Sequence, residues 1–333
     1  MINKKAYRLP AEWEPQSGVM LTWPHANTDW APMLSEVRKT YDEMAYEIRR
    51  REALLLVGAP SNDTWARDHG FISLTPNPSH VGEGNNFSQT GENILLDFCF
   101  NGWGEKFPAD LDNAINRRLY DEGSVKGEYV DHLDFVLEGG SIESDGKGTI
   151  FTTSCCLLAP HRNQPLTQQQ IEQRLKDALC ASRIVWLDHG NLIGDDTDGH
   201  IDTIVRLAPD DTLLYIGCDD PKDEQYEELH LMEEQLRTFR TTDGKSYRLK
   251  RLPLPRPIYD NDERLPATYA NFLVINGAVL CPTYAQPDLD AEALRIIGEA
   301  FPDREIVGID CRSLIKQHGS LHCCTMQFPE HIL

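Results

Sequence analysis

The chain has 333 residues, 40% of them apolar and 26% charged, a balance that excludes a disordered or fibrous protein and allows one large core or two ordinary ones. Its formal net charge of −21 argues against a nucleic-acid backbone or an anionic membrane as partner, since both require basic patches, and suits a small cationic ligand. No apolar run approaches the roughly 18 residues of a membrane span, and none follows Lys4 and Lys5 as an export signal requires. Nine cysteines, none in a CxxC pair, fit a reducing compartment, so the expected location is cytoplasmic.

Helix-like and strand-like segments alternate along the chain. Leu34, Val37, Tyr41, Met44 and Ile48 recur at spacings of three and four and predict a helix over 33–50. ILLDF (94–98) reads as a strand and is followed by a helix at 110–122 that Gly123 closes. TIFTT (149–153) leads to a helix starting at Thr167, where Gln170 completes a capping box and Ile171, Leu175 and Leu179 form the buried stripe. Further strands are expected at 183–187, 203–207, 212–216, 271–275, 278–282 and 305–309, with helices at 223–240 and 290–301. The proline-rich stretch 252–266 reads as a long surface loop. Cys99, Cys218, Cys281 and Cys311 fall in apolar runs and behave as small hydrophobes. No domain boundary stands out, so residues 1–333 are read as one domain. Polar, glycine-flanked stations at Asp68, Glu138, His200, Asn271 and Cys323, about 50–70 residues apart and each beside strand-like sequence, imply five similar units.

Four of these stations carry groups that can do chemistry, and each also has an ordinary reading. Cys323 follows His322 in HGSLHCCTMQ, a turn into a short strand; buried thiols there can simply be inert. In DDTDGHIDTIVRL, a strand beginning at Ile201 places His200 and Asp202 on one face, although a hydrogen-bonded structural histidine is equally compatible. Glu138 precedes two glycines that permit close backbone approach, or it is a solvated acid in a hairpin. Asp63, Trp65 and Asp68 surround Arg67, which can pair with one aspartate at the surface while Trp65 is core. What favours chemistry is the sum: several acids gathered round one histidine are costly to bury without a cation to neutralise them. The cysteine and histidine positions lack metal-ligand spacing, and no Walker or GxGxxG loop is present, so no metal or cofactor is expected.

Taken in order, AEWEPQSGVMLTWP (11–24), NDTWARD (62–68), FNGWGEKF (100–107), LEGGSIESDGKGT (137–149), DTDGHIDTIVRL (196–207), NFLVINGAVLCP (271–282), FPDREIVGID (301–310) and SLHCCTMQ (320–327) resemble the agmatine deiminases and the related bacterial peptidylarginine deiminases over nearly the whole chain. The resemblance implies an α/β pentein fold, a propeller of five pseudosymmetric ββαβ-type units around a central active-site channel. It implies Cys323 as nucleophile, His200 as general acid and base, and Asp68, Glu138 and Asp202 as the carboxylates gripping a guanidinium. Trp65 matches a channel tryptophan and Asp196 an acid near the distal end of the substrate; Trp103 and Asp198 join them as substrate-binding residues. The chain departs from the usual pattern at His69, Ser320 and Cys324, which bear on substrate choice rather than chemistry. LLLVGAP (54–60) also runs straight into SNDTW, where relatives usually carry another helix and strand, so a segment is either deleted there or missing from the numbering.

A guanidinium is planar and protonated at any physiological pH, so its carbon is a poor electrophile until carboxylates accept its forked N–H donors and fix its plane. The expected reaction is therefore hydrolysis of agmatine to N-carbamoylputrescine and ammonia through a covalent thiouronium on Cys323, a step toward putrescine. Deimination of peptidyl arginine is the nearest alternative. A non-catalytic binding protein of the same fold is the alternative of another class, and a homo-oligomer is the ordinary state for such an enzyme.

Overall fold

The computed structural model describes residues 6–78 and 92–333; Lys4 and Lys5 lie outside them. The fold is mixed α/β. The apolar stripe predicted for the first helix is its buried face: in Leu34–Arg49, Val37, Tyr41, Met44 and Ile48 are wholly buried, each burial contributing about 1.5–3 kcal/mol before entropy is counted. The helix Gln168–Ala178 begins with the expected box: Thr167 Oγ1 accepts from Gln170 N at 3.3 Å, and Gln170 Oε1 accepts from Thr167 N at 2.8 Å.

One pattern recurs in five three-stranded groups. A first strand runs antiparallel to a middle strand, and a third runs parallel to the middle one after a crossover helix. Ile72–Pro76, Ile94–Cys99 and Glu128–Val136 follow it with the helix Asp110–Asp121. So do Ile142–Ser144, Thr149–Thr153 and Arg183–Leu187 with Gln168–Ala178. Val205–Ala208, Thr212–Gly217 and Arg248–Pro253 repeat it with Tyr226–Thr238, and Leu273–Ile275, Ala278–Thr283 and Glu305–Asp310 with Pro287–Ala300. The remaining group joins the two ends of the chain: Thr325–Pro329 pairs antiparallel with Gln16–Thr22, which runs parallel to Ala53–Val57 after Leu34–Arg49. Tyr7–Arg8 adds a short antiparallel edge to the Ile72–Pro76 strand.

Two strand expectations require correction at their starts. The strand expected at 203–207 is Val205–Ala208, and the one expected at 271–275 is Leu273–Ile275. Residues Ile201–Thr203 form a 3-10 turn instead, because Thr203 Oγ1 bonds back to the His200 carbonyl at 2.8 Å and His200 N donates to Thr197 Oγ1 at 3.0 Å. The proline-rich stretch is less irregular than expected: its beginning completes Arg248–Pro253, and Tyr259–Asp260 pairs with Glu263–Arg264. Residues 58–64 connect Ala53–Val57 directly to Trp65.

Each station of the sequence lies immediately before the first strand of its group: Asp68 before Ile72, Glu138 before Ile142, His200 and Asp202 before Val205, Asn271 before Leu273, and Cys323 before Thr325. Asp68 and Cys323, 255 positions apart, thereby come to line one cavity. Among the described residues no helix is long and apolar enough to cross a membrane.

Candidate active site

Three turns from three groups converge on Gly140. A Cβ built there would lie 2.5 Å from His200 Nδ1, 3.0 Å from Asp68 Oδ1 and 3.2 Å from Asp202 Oδ2, so the second glycine after Glu138 is required by close approach. Asp68 sits in the one-turn helix Ala66–His69, all four residues of which are buried. Trp103 donates from Nε1 to Asp68 Oδ2 at 3.0 Å, and the Gly140 amide donates to Asp68 Oδ1 at 3.3 Å. To present that indole, Trp103 adopts a left-handed backbone with φ 56° between two glycines that also have positive φ, a cost of the kind concentrated at functional sites. His200 and Asp202 share the site as expected, but through the 3-10 turn rather than through strand alternation.

Cys323 occupies the 3-10 turn His322–Cys324, with its amide 3.3 Å and its Sγ 3.4 Å from Asn271 Oδ1. Asn271 was a sequence station without a role; its Oδ1 also accepts from His322 N at 2.9 Å, and its Nδ2 donates to the Asp202 carbonyl at 3.3 Å. One side chain thus fixes the cysteine turn against the Asp202 turn. Trp65, Asp68, Trp103, Asp196, His318 and Cys323 line the cavity, with Asp29 and Asp63 also on its wall.

Each buried acid of the site has an ionisable neighbour: His200 for Asp68, His322 for Asp202 and Arg162 for Glu138. Burial, reinforced by Asp202 and Glu138 and opposed by His200, pushes the Asp68 carboxyl up to about 6. Burial works against the charged form of His200, yet Asp68, 3.7 Å from its Nδ1, and the neighbouring Cys156 and Glu138 hold it well above an ordinary histidine. Burial also opposes ionisation of Asp202, but the His322 ring, 2.7 Å away, outweighs it and holds that carboxyl below its usual range. The Cys323 thiol is pushed far up by burial, then by Asp202 and Asp68, so it rests protonated. Both ring nitrogens of His200 and Asp202 Oδ1 are buried without a partner among the described residues. A planar donor placed among these acids would satisfy them and lower the cysteine at once.

The residues hidden from the sequence are the ones holding the acids in place. Arg162, buried in LLAPHRN, donates from Nε to Glu138 at 3.0 Å and from Nη1 to Asp198 at 2.6 Å; its signal was only an arginine behind an apolar run. Asp198, expected at the substrate, is not on the cavity wall: it is engaged by Arg162 and, at 2.7 Å, by Lys106. Asp196 is on the wall, its carboxyl raised by burial and by Asp195. Two trios, Glu138–Cys156–His200 and Glu12–Glu143–His322, bring ligand-type atoms within 4.8 Å of one another. In each, however, a guanidinium already sits on the carboxylates, Arg162 on the first and Arg206 on the second, which disfavours a second cation there.

The chain as a whole is similar to known proteins. An agmatine deiminase of Pseudomonas putida is 32% identical, the match covering 97% of this chain and 95% of that protein. The solved structure of a C. jejuni agmatine deiminase, with a cysteine replaced by serine and substrate bound, is 34% identical and superposes with a TM-score of 0.88 over 98% of this chain and 97% of that one. A Porphyromonas gingivalis structure, provisionally described as an arginine deiminase, is 47% identical with a TM-score of 0.89 over 98% and 99%. The sequence profile of the Porphyromonas-type peptidyl-arginine deiminases matches residues 8–329, and the chain belongs to that family.

Proposed function

We propose that the protein is an agmatine deiminase, converting agmatine and water to N-carbamoylputrescine and ammonia, a reaction that leads toward putrescine. The observation that carries this reading is the meeting of His200, Asp68 and Asp202 around Gly140, with Cys323 on the same cavity wall as Asp68 and further acids along that wall. In this reading the chain is one catalytic domain, its five units closing as a pentein α/β propeller around the site.

Asp68 and Asp202 accept the forked N–H groups of the guanidinium, and Glu138, held by Arg162, orients its plane and His200. The bound cation offsets the acids that keep Cys323 protonated, so substrate binding promotes loss of the thiol proton to solvent and leaves the thiolate. Sulfur adds to the guanidinium carbon, His200 gives a proton to the departing nitrogen, and the C–N bond breaks to release ammonia. His200 then takes a proton from water as its oxygen attacks the thiouronium carbon, and the C–S bond breaks to return Cys323. Trp65 and Trp103 flank the aliphatic chain. At its far end Asp196 and Asp63, the latter pushed up to about 7 by burial and by Asp112, face the second cation that agmatine carries and a peptide lacks. Among the described residues no cysteine forms a disulfide, in keeping with a cytoplasmic setting.

The test is ammonia release from agmatine, free arginine and an arginyl peptide by the purified protein. Turnover of agmatine at the highest kcat/KM is expected. Activity confined to the peptide would replace this reading with peptidyl-arginine deimination, and binding of agmatine without ammonia release would make the protein a binding module.

A further inference from the structure

The turns that build the site have a second side. Asp68 and Cys323 line the first cavity, whereas their preceding neighbours Arg67 and His322, together with Gly139, line a different one, closed by Glu12, Glu143 and Ser73. Within it Arg206 pairs with Glu12 at 2.7 Å and with Glu143, and His322 Nε2 lies 2.7 Å from Glu12. These acids are therefore already matched.

Arg67 is not. It is 4% exposed, its Nη1 meets only the Met326 sulfur at 3.7 Å, and Nε and Nη2 have no partner among the described residues. Those two atoms are the side of a guanidinium that presents two parallel N–H donors, the geometry that fits both oxygens of one carboxylate. Ser73 Oγ, on the same wall, is likewise buried and unpartnered and can donate to a carboxylate, whereas the unpartnered Gln16 Oε1 and Gln327 Oε1 are acceptors that such a ligand does not meet. Gln16 cannot turn to help, because its Nε2 is fixed between the Glu12 and Val274 carbonyls. The rest of the lining includes Pro10, Ile142 and Met326. A buried, unsatisfied cationic fork costs several kcal/mol, and an array of orphaned groups round one cavity is how a missing ligand presents itself.

We propose that this second cavity is a binding site for a small monocarboxylate, its two oxygens seated on Arg67 Nε and Nη2 and its short hydrocarbon body against the apolar wall. The inference does not depend on which guanidine the first cavity takes. Arg67 and Asp68 are consecutive, so an occupied fork also anchors the turn that presents Asp68.

The experiment is thermal unfolding of the full chain in formate, acetate or propionate against chloride at constant ionic strength. A saturable rise in Tm on the order of 3 °C is expected with acetate, absent in Arg67→Met and at least tenfold weaker in apparent affinity in Arg67→Lys, which keeps the charge but not the fork. Ser73→Leu, which fills the cavity without touching Arg67, should also abolish it and decides the matter if Arg67→Met does not fold. Acetate density on the fork in a crystal is the direct readout. No rise beyond chloride, an equal rise in Arg67→Met, or water alone on Arg67 in acetate-grown crystals would overturn the proposal.

Discussion

The two cavities are walled by alternate residues of the same turns, yet they balance charge in opposite ways. Behind the turns, Glu12 and Glu143 have Arg206 and His322, and the group left over is an arginine. In front, Asp68, Asp202 and Glu138 lie near His200; Glu138 is covered by Arg162 and Asp202 by the His322 ring, which leaves Asp68 to His200, 3.7 Å away. A folded chain satisfies buried charge where structure is the only requirement and leaves it open where a ligand completes the arrangement. The sign of the unpaired charge then states what the ligand must be.

Substitutions on the two sides should therefore separate turnover from stability. The largest effect belongs to the front: Cys323→Ala should lower kcat by on the order of 10⁴-fold or more while leaving Tm nearly unchanged, and retained activity would move the nucleophile to Cys324. Behind the turns, Arg206→Met strips Glu12 and Glu143 of their partner and should destabilise the fold by about 3–5 kcal/mol, read by urea denaturation. Asp68→Asn should do the reverse of a structural lesion. Because the folded carboxyl is raised to about 6, its contribution to stability is present at pH 4 and below and is lost as pH rises through 6. The asparagine variant should accordingly match the native protein near pH 4 and exceed it by roughly 2–3 kcal/mol at pH 7, although it turns over no substrate. The same titration predicts an acid limb near pH 6 in native kcat/KM. His322→Ala lies between the two sides: loss of the hydrogen bond to Asp202 should cost about 10–100-fold in kcat/KM. If it changes stability alone, His322 belongs wholly to the rear network.

Much of this was legible beforehand. The stripe of Val37, Tyr41, Met44 and Ile48, the Thr167 capping box and the regular recurrence of Asp68, Glu138, His200, Asn271 and Cys323 are local or periodic signals. Such signals survive into the structure because helix faces and caps are decided by neighbours in sequence. The strand expected to start at 203 was misjudged because a β-branched run indicated pleating, whereas hydroxyl bonds from Thr197 and Thr203 close a turn. Asp198 joined the substrate-binding residues through the resemblance, and nothing local announced that Arg162 and Lys106 would pair with it.

By itself, then, the order of residues determined the repeated unit, the chemistry available at each station and the surplus of negative charge. Only the tertiary structure decided which atoms face one another: that Arg162 holds Glu138, that Asn271 fixes the cysteine turn, and that Arg67 turns away from Asp68 into a cavity of its own. Those pairings join residues 24 to 259 positions apart. They depend on side-chain direction within turns that the fold brings together, and neither periodicity nor propensity carries that information.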